Sequence, residues 1–450
     1  MTNEISQEQR LDWIDMLLIT LFLLGIYLGL NIRISAGIPW PAAPAGVAGA
    51  ILLWRRRDMV SPAHLAMISI VVLVYIGAIV SAEDYSFLGK RFTGLVQLTY
   101  SLLLSYGLFL TLIRADRGQI AGILIAFCLA MIVGCLLETY AGLRAISDAV
   151  RMKIYESGVY DADIRDQLLY GRIRPKLFTS EPSAVTFSFT LYSFMWLIVS
   201  RWQWKLAGYI ALLVASLAAM PGPTLLLGLI LIGPYQLFLA GRTDNPQPGR
   251  ARRGHVLVAL VISALIAVIA VILGQTLFAE RLHDIATGKD ASFFYRVIGP
   301  MHTALYVMKQ HPWAGAGLTG ELYIANEVLS VYTNSPEFQA AWPITRIQDV
   351  LTNYVWLHWI YLGMIWGTVA FVALTLWLRV LRVPSAAFCW AVWVVLGQAS
   401  GAYVSPKTWT VLFLAAGASV LYLQRPVSRP QPLPEFAWGL RRGRPQVSSA

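Results

Sequence analysis

The chain has 450 residues, of which 57% are hydrophobic and only 13% charged, and its formal net charge is +11. Soluble domains carry about 25% charged residues, so this composition excludes an ordinary cytosolic enzyme and makes lipid the solvent for most of the chain.

Apolar runs close to the ~20 residues a helix needs to cross a bilayer alternate with short charged or proline-rich segments. Twelve are found: 13–30, 37–54, 63–82, 92–113, 119–141, 183–200, 206–220, 222–240, 256–278, 352–378, 385–403 and 408–424. They predict an all-α polytopic membrane protein of about 12 transmembrane helices with two long outer loops. The organisation is five spans to 141, a loop over 142–182, four spans over 183–278, a loop over 279–350, three spans over 351–424 and a basic tail over 425–450. Between the seventh and eighth runs lies only Met220-Pro221-Gly222-Pro223, a turn that joins two antiparallel helices on one side.

Counting spans from an inside N-terminus puts both termini inside. That side then holds 19 Lys/Arg against 8 Asp/Glu, whereas the other holds 16 of each. All the net charge is on one face, as expected when Lys- and Arg-rich short loops stay cytoplasmic. The high net charge is thereby explained by membrane insertion, without nucleic acid as a partner. Cys128, Cys135 and Cys389 all lie in apolar runs, so neither a disulfide framework nor a Cys/His metal pattern is expected. The first run lacks a strongly basic lead and reads as an ordinary helix, not a cleaved signal. No internal repeat is seen.

Both long loops are on the outer face, where function is therefore sought. In the first, Ile146, Val150 and Ile154 repeat at four-residue spacing over 144–155, which suits either a helix lying on the membrane surface or a spacer. The loop ends in Gly171-Arg-Ile-Arg-Pro-Lys-Leu-Phe-Thr-Ser-Glu-Pro-Ser183. Pro182 suits a first helical turn, with Thr179, Ser180 or Glu181 capping free amides. Arg172, Arg174 and Lys176 precede a helix N-terminus that itself attracts anions; Arg172 and Lys176 suit lipid headgroups equally well.

The second loop contains Phe293-Phe-Tyr-Arg296, then Gly299-Pro300 and a helix to Gln310 with Met301, Leu305 and Met308 on one face. His311-Pro-Trp-Ala-Gly-Ala-Gly317 follows, and glycines at 315, 317 and 320 allow close approach by a ligand or by another segment. Tyr323, Tyr332, Phe338 and Trp342 lie among polar residues, fit either for stacking on sugars or for anchoring at the membrane interface.

Twelve spans with a large outer loop before the tenth, Arg174 and Thr179-Ser-Glu-Pro-Ser183 leading into the sixth, Arg296 upstream of His311-Pro-Trp-Ala-Gly-Ala-Gly317, and Asn353 with Gly363 and Gly367 in the tenth together resemble the Wzy-type polysaccharide polymerases and the related O-antigen ligases. The layout covers nearly the whole chain, although the motifs occupy only about 178–183, 296–320 and 349–367. The resemblance implies a metal-independent, cofactor-free, multi-spanning glycosyltransferase of the bacterial inner membrane. Its two long loops would be periplasmic, and its substrates oligosaccharides linked to undecaprenyl diphosphate. A flippase and a chain-length regulator are the partners such a system implies, beside membrane lipid.

A polymerase moves the growing glycan onto a new lipid-linked repeat; a ligase moves it onto lipid A-core. Ligases typically carry His-Asn at the head of the tenth span, where this chain has Thr352-Asn353, and Ser180-Glu-Pro-Ser183 is also the more polymerase-like sequence. Two features depart from the family: Gly299-Pro300 interrupts a helix that is often continuous, and the seventh-to-eighth junction lacks a Ser-Arg pair.

Displacing a lipid diphosphate without a metal calls for guanidinium groups, and Arg174 and Arg296 are placed to supply them. The acceptor hydroxyl must lose a proton, for which Glu181 and His311 are the candidates. Either has a structural alternative: Glu181 as a cap or salt-bridge partner, His311 as the end of its helix. Arg172, Lys176, Gly315, Gly317 and Asn353 are the expected substrate-binding positions. A transporter is the third reading, disfavoured by the scarcity of charge inside the spans.

Overall fold

The structure is a computed structural model that describes residues 10–424, apart from 36–37, 156–158, 241–260, 262, 266, 267, 270, 273, 277, 339–343, 345 and 400. The basic tail, Arg242 to Arg253 and Trp342 lie outside the described residues. The protein is α-helical, and five helices are long and apolar enough to cross a membrane: α3 (Pro62–Val80), α4 (Leu88–Leu112), α5 (Arg117–Tyr140), α8 (Pro182–Val199) and α14 (Tyr354–Val380). Shorter apolar helices fill other expected runs: α1 (Trp13–Leu28), α2 (Ala43–Arg55), α9 (Lys205–Ala219), α10 (Thr224–Ala240) and α15 (Ala386–Gly397). The twelfth run forms α16 (Pro406–Leu423). The ninth run is helical at its described positions from 261 to 276.

Three runs differ from expectation. The second begins as a hairpin, Ile32–Ser35 paired antiparallel with Ile38–Trp40, because Pro39 and Pro41 cannot supply helical amides. The eleventh stays helical only to Gly397. The tenth is broken at Gly363, whose φ of 64° and ψ of −168° are not helical.

That break is filled by the glycine-rich segment after His311. Ala316 donates to Ile360 O at 2.8 Å, while Ile365 and Trp366 donate to Pro312 O and Trp313 O at 3.0 and 3.2 Å. Backbone groups freed inside an apolar bundle must find such partners. Gly315 lies in the left-handed region (φ 56°), and a Cβ there would sit 2.3 Å from Ile360 O. Gly317 is equally constrained, since a Cβ would meet the Arg91 guanidinium, which donates to Ala316 O at 2.9 Å. Of the two uses the sequence allowed for these glycines, close approach to another segment is the one realised.

Polar contacts sort the chain into two ends. At one, Arg55 pairs with Asp12 and Asp15 (2.6 and 2.7 Å), and Arg114 with Asp58. Arg117 there donates to the carbonyls of Ile198, Val199, Ser200 and Tyr422, closing the C-termini of α8 and α16. At the other, Tyr155 donates to Leu28 O, Tyr27 to Leu177 O, Thr319 to Lys90 O and Arg172 to Ala218 O. Each of these links joins segments that the span count assigns to one face. The Met220–Pro223 turn lies with the outer loops, as its antiparallel reading requires.

Gly315→Ala should lower thermal stability by about 1–3 kcal/mol, the cost of a strained backbone plus a clash. Gly122→Ala on α5, where nothing lies within 4 Å of the added methyl, should be neutral or raise it by up to about 1 kcal/mol. Unfolding midpoints of the two variants in detergent check this.

Candidate active site

The loop into α8 is built on buried polar anchors from earlier elements. Glu138, near the end of α5, accepts the amides of Lys176 and Leu177 at 2.8 and 2.6 Å. Ser147, on α6 (Leu143–Ile154), accepts that of Phe178 at 3.0 Å. These bonds hold Leu177 and Phe178 in the left-handed region (φ 36° and 65°), a conformation side chains other than glycine adopt only when their surroundings impose it. Arg151, fully buried on α6, donates to the carbonyls of Thr179 and Ser180. Arg174 and Glu181 therefore project from a loop pinned on both sides.

Arg174 donates through Nε to Asp166 Oδ1 at 2.8 Å and through a terminal nitrogen to the Tyr160 hydroxyl at 3.1 Å. Asp166 lies on α7 (Asp163–Tyr170) and is wholly buried. Burial disfavours the charge on Arg174, but the nearby Tyr170, Asp166 and Tyr160 more than offset it and raise its pKa above the ordinary guanidinium value. The Tyr170 ring lies 4.7 Å from the Arg174 guanidinium carbon, and its hydroxyl accepts from Arg281 on α11 (Ala279–Ala286). Arg281 also pairs with the buried Asp290 at 3.0 Å.

Arg296 sits in a π-helical turn, Phe294–Ile298, that runs straight into α12 (Gly299–Gln310). The helix is thus continuous through Gly299-Pro300, contrary to the interruption expected from sequence. Pro300 has no N–H to return to the carbonyl four residues earlier, that of Arg296. Asn353 supplies the missing donor, its Nδ2 lying 2.9 Å from Arg296 O, while its Oδ1 accepts from Val355 N at 3.0 Å and caps α14. The face of α12 that is buried carries Thr303, Ala304 and Val307, not Met301, Leu305 and Met308, because it packs on α14.

Arg174, Arg281 and Arg296 line one small cavity of about 80 Å³, together with Arg165, Glu181 and Ser183. Glu181 precedes α8 but makes no capping bond; its carboxylate lies 3.6 Å from Arg296 and accepts from the Ser183 hydroxyl. The N-terminal ends of α8 (Pro182, Ser183) and α10 (Thr224) also face the cavity, adding two positive helix poles. Lys407, at the start of α16, interacts electrostatically with Glu181 and Arg296. The lining residues thus set Arg165, Arg174, Arg281 and Arg296 against one lining carboxylate, Glu181, with Asp166 and Asp290 pairing Arg174 and Arg281 from behind. A second, mainly apolar cleft shares Arg281, Arg296 and Thr224 with the first and continues past Leu227, Ile285, Phe293 and Val297.

The other expected positions serve elsewhere. His311 does not line the cavity; its Nδ1 lies 2.8 Å from Glu83 and its ring packs on Tyr323. Lys176 is buried against Asp163 at 3.1 Å, and Arg172 bonds Tyr140 and Ala218 O. Gly315 and Gly317 pack on protein, and Asn353 is wholly buried with its amide engaged. Tyr332, also buried, stacks on Tyr295 and donates to Val350 O at 2.9 Å, so it supports the Arg296 turn instead of offering a sugar platform. Arg281, Arg165, Tyr160 and Tyr170 were not singled out from sequence. Their only linear signal is a basic or aromatic residue in an outer loop, which many residues share. The three cysteines are free and buried, as their positions implied.

Asp166→Ala strands the Arg174 guanidinium without its buried counter-ion and should cost about 3–5 kcal/mol. Asp166→Ala combined with Arg174→Leu should recover part of that loss, read as unfolding midpoints of the single and double variants.

No protein-family model matches this chain, and no curated protein matches its sequence.

Proposed function

We propose that this protein is a glycosyltransferase that extends a surface polysaccharide, O-antigen or exopolysaccharide, moving a glycan from undecaprenyl diphosphate onto a further lipid-linked repeat unit. The observation that carries this reading is the convergence of Arg174, Arg281 and Arg296 on one cavity with Glu181 and two helix N-termini. A diphosphate diester is an anion, and arginines outnumber the carboxylate among the residues that line the cavity. The adjoining apolar cleft, which shares Arg281 and Arg296, suits the polyprenyl chain attached to it.

In the reaction the acceptor hydroxyl oxygen bonds to the anomeric carbon of the donor glycan. The bond from that carbon to the diphosphate oxygen breaks, its electron pair leaving with the phosphate. Arginines bonded to the phosphate oxygens stabilise that developing charge. The hydroxyl proton passes to Glu181, the one carboxylate among the residues lining the cavity. As Arg296 turns to the diphosphate, its 3.6 Å pairing with Glu181 gives way and an oxygen becomes free for the acceptor. His311, paired with Glu83, has no part in this scheme.

The break in α14 is the feature a carrier would use, but the backbone groups of Ile360, Ile365 and Trp366 are taken by the 312–316 segment. Transfer of the glycan to lipid A-core is the alternative outcome, told apart by the acceptor that becomes labelled.

Purified protein in liposomes with a defined undecaprenyl-diphosphate-linked repeat should make a ladder of products. Arg174→Ala, Arg281→Ala and Arg296→Ala should each slow it by roughly 10²–10³, the range for losing one preorganised charge-stabilising group. Wild-type ladders from both Arg174→Ala and Arg296→Ala would overturn the site.

Asn353→Ser keeps a helix-capping oxygen but removes the donor to Arg296 O. It should lower the transfer rate, and Pro300→Ala in the same chain should restore part of it by returning an N–H to that carbonyl. The four rates of this double-mutant cycle are the measurement, and no restoration would count against the positioning role of Asn353.

A further inference from the structure

Both short helices of the 142–182 loop are amphipathic in the inverse sense to a helix on a water-facing surface. On α6 the inward residues are Ser147 and Arg151, both buried, whereas Ile146 and Met152 point outward at 59% and 70% exposure. On α7 the inward residue is the wholly buried Asp166, and Ile164 and Leu168, one turn apart, are each 76% exposed, with the exposed Arg165 and Gln167 beside them. The cations of the inner side are Arg151, Arg174 and Lys176: Arg174 pairs with the buried Asp166 at 2.8 Å, while Lys176 and Arg151 reach the half-buried Asp163 and Asp148, which also pair with Arg144. Water would favour the opposite sorting, since it solvates charge and expels aliphatic side chains.

A second observation says what covers these faces. Helix α5 is a candidate membrane span, and Leu129, Val133 and Leu137 on it point away from the bundle. It ends at Tyr140, itself 72% exposed, and α6 begins at Leu143. The apolar faces of the loop helices therefore continue a wall that already faces lipid.

We propose that α6 and α7 lie sunk in the lipid leaflet at the loop-bearing end of the bundle, with Ile146, Met152, Ile164 and Leu168 among the acyl chains. Lys153, exposed on the same side, reaches its ammonium up to the headgroups. The ionic cluster behind these helices is thereby sealed between protein and lipid. Helix α7 also contributes Arg165 and Tyr170 to the arginine-lined cavity, so one wall of that cavity is embedded in the membrane. A lipid-anchored ligand then meets the arginines at headgroup depth without leaving the bilayer. The immersion stands on burial and continuity alone, and does not depend on the transfer reaction.

The test uses full-length protein in nanodiscs, with cysteine introduced singly at Ile164 or Leu168; Cys128, Cys135 and Cys389 are buried and stay in place. Leu137→Cys is the lipid-facing control and Asn334→Cys, exposed on the second outer loop, the aqueous one. An environment-sensitive fluorophore at 164 and 168 should emit as far to the blue as at 137 and be quenched by spin-labelled phospholipid. The unlabelled thiols should resist a membrane-impermeant maleimide that modifies Asn334→Cys. Two results would overturn the proposal: modification at 164 and 168 as fast as at 334, or protection from maleimide without quenching by lipid, which would mean that protein covers these faces. Catalytic failure with lipid quenching intact would sink only the transferase reading.

Discussion

One carboxylate at the end of a membrane helix holds the candidate site in place. Glu138 accepts two successive backbone amides, those of Lys176 and Leu177, and so turns the chain between Arg174 and Glu181. An ionised carboxylate buried in an apolar bundle is costly unless such donors satisfy it. Here the need is mutual, because the turn it binds holds Leu177 and Phe178 in the left-handed region, with Thr179 donating back to Lys176 O at 2.8 Å. Arg151 does the complementary work from the other side by donating to the next carbonyls, those of Thr179 and Ser180. The loop is thus held through its backbone by Glu138 and Arg151, which sets Arg174 before it and Glu181 after it toward the cavity.

The same economy governs the arginines. At the opposite end Arg117 serves the backbone, donating to carbonyls at two helix C-termini. Those of the cavity are paired with carboxylates, yet their positive charge is not fully cancelled. Arg174 and Arg281 are coupled through Tyr170, which stacks on the first and accepts from the second. Arg296 reaches the same space from a π turn held by a residue far along the chain, Asn353. Three segments distant in sequence are locked together before any ligand arrives, and such preorganisation is what electrostatic stabilisation of a leaving diphosphate requires.

The break in α14 shows how a membrane bundle tolerates irregular backbone. Gly363 frees amides and carbonyls in an apolar setting, and the segment from Pro312 to Ala316 takes them up. Only residues without a Cβ allow that approach at 315, 317 and 363. The glycine spacing that reads as a ligand loop is therefore a docking joint, and it fastens α12, which Arg296 precedes, to the membrane helices.

Much of the fold was legible in the linear order of residues. Apolar runs of bilayer length depend on solvent, and solvent acts on each segment separately, so the apolar helices follow from composition alone. Arg174, Glu181 and Arg296 could be singled out because they lie beside expected helix starts in the two long loops. What composition cannot contain is which loop meets which. Arg281 joins the cavity, His311 turns away to Glu83 and Lys176 is buried with Asp163, because those choices depend on how helices pack, and packing brings together residues that no local spacing relates. The sequence by itself determined an α-helical protein with helices long and apolar enough to cross a membrane. Only the tertiary structure decided which charges neutralise one another in the interior and which remain turned toward an empty space.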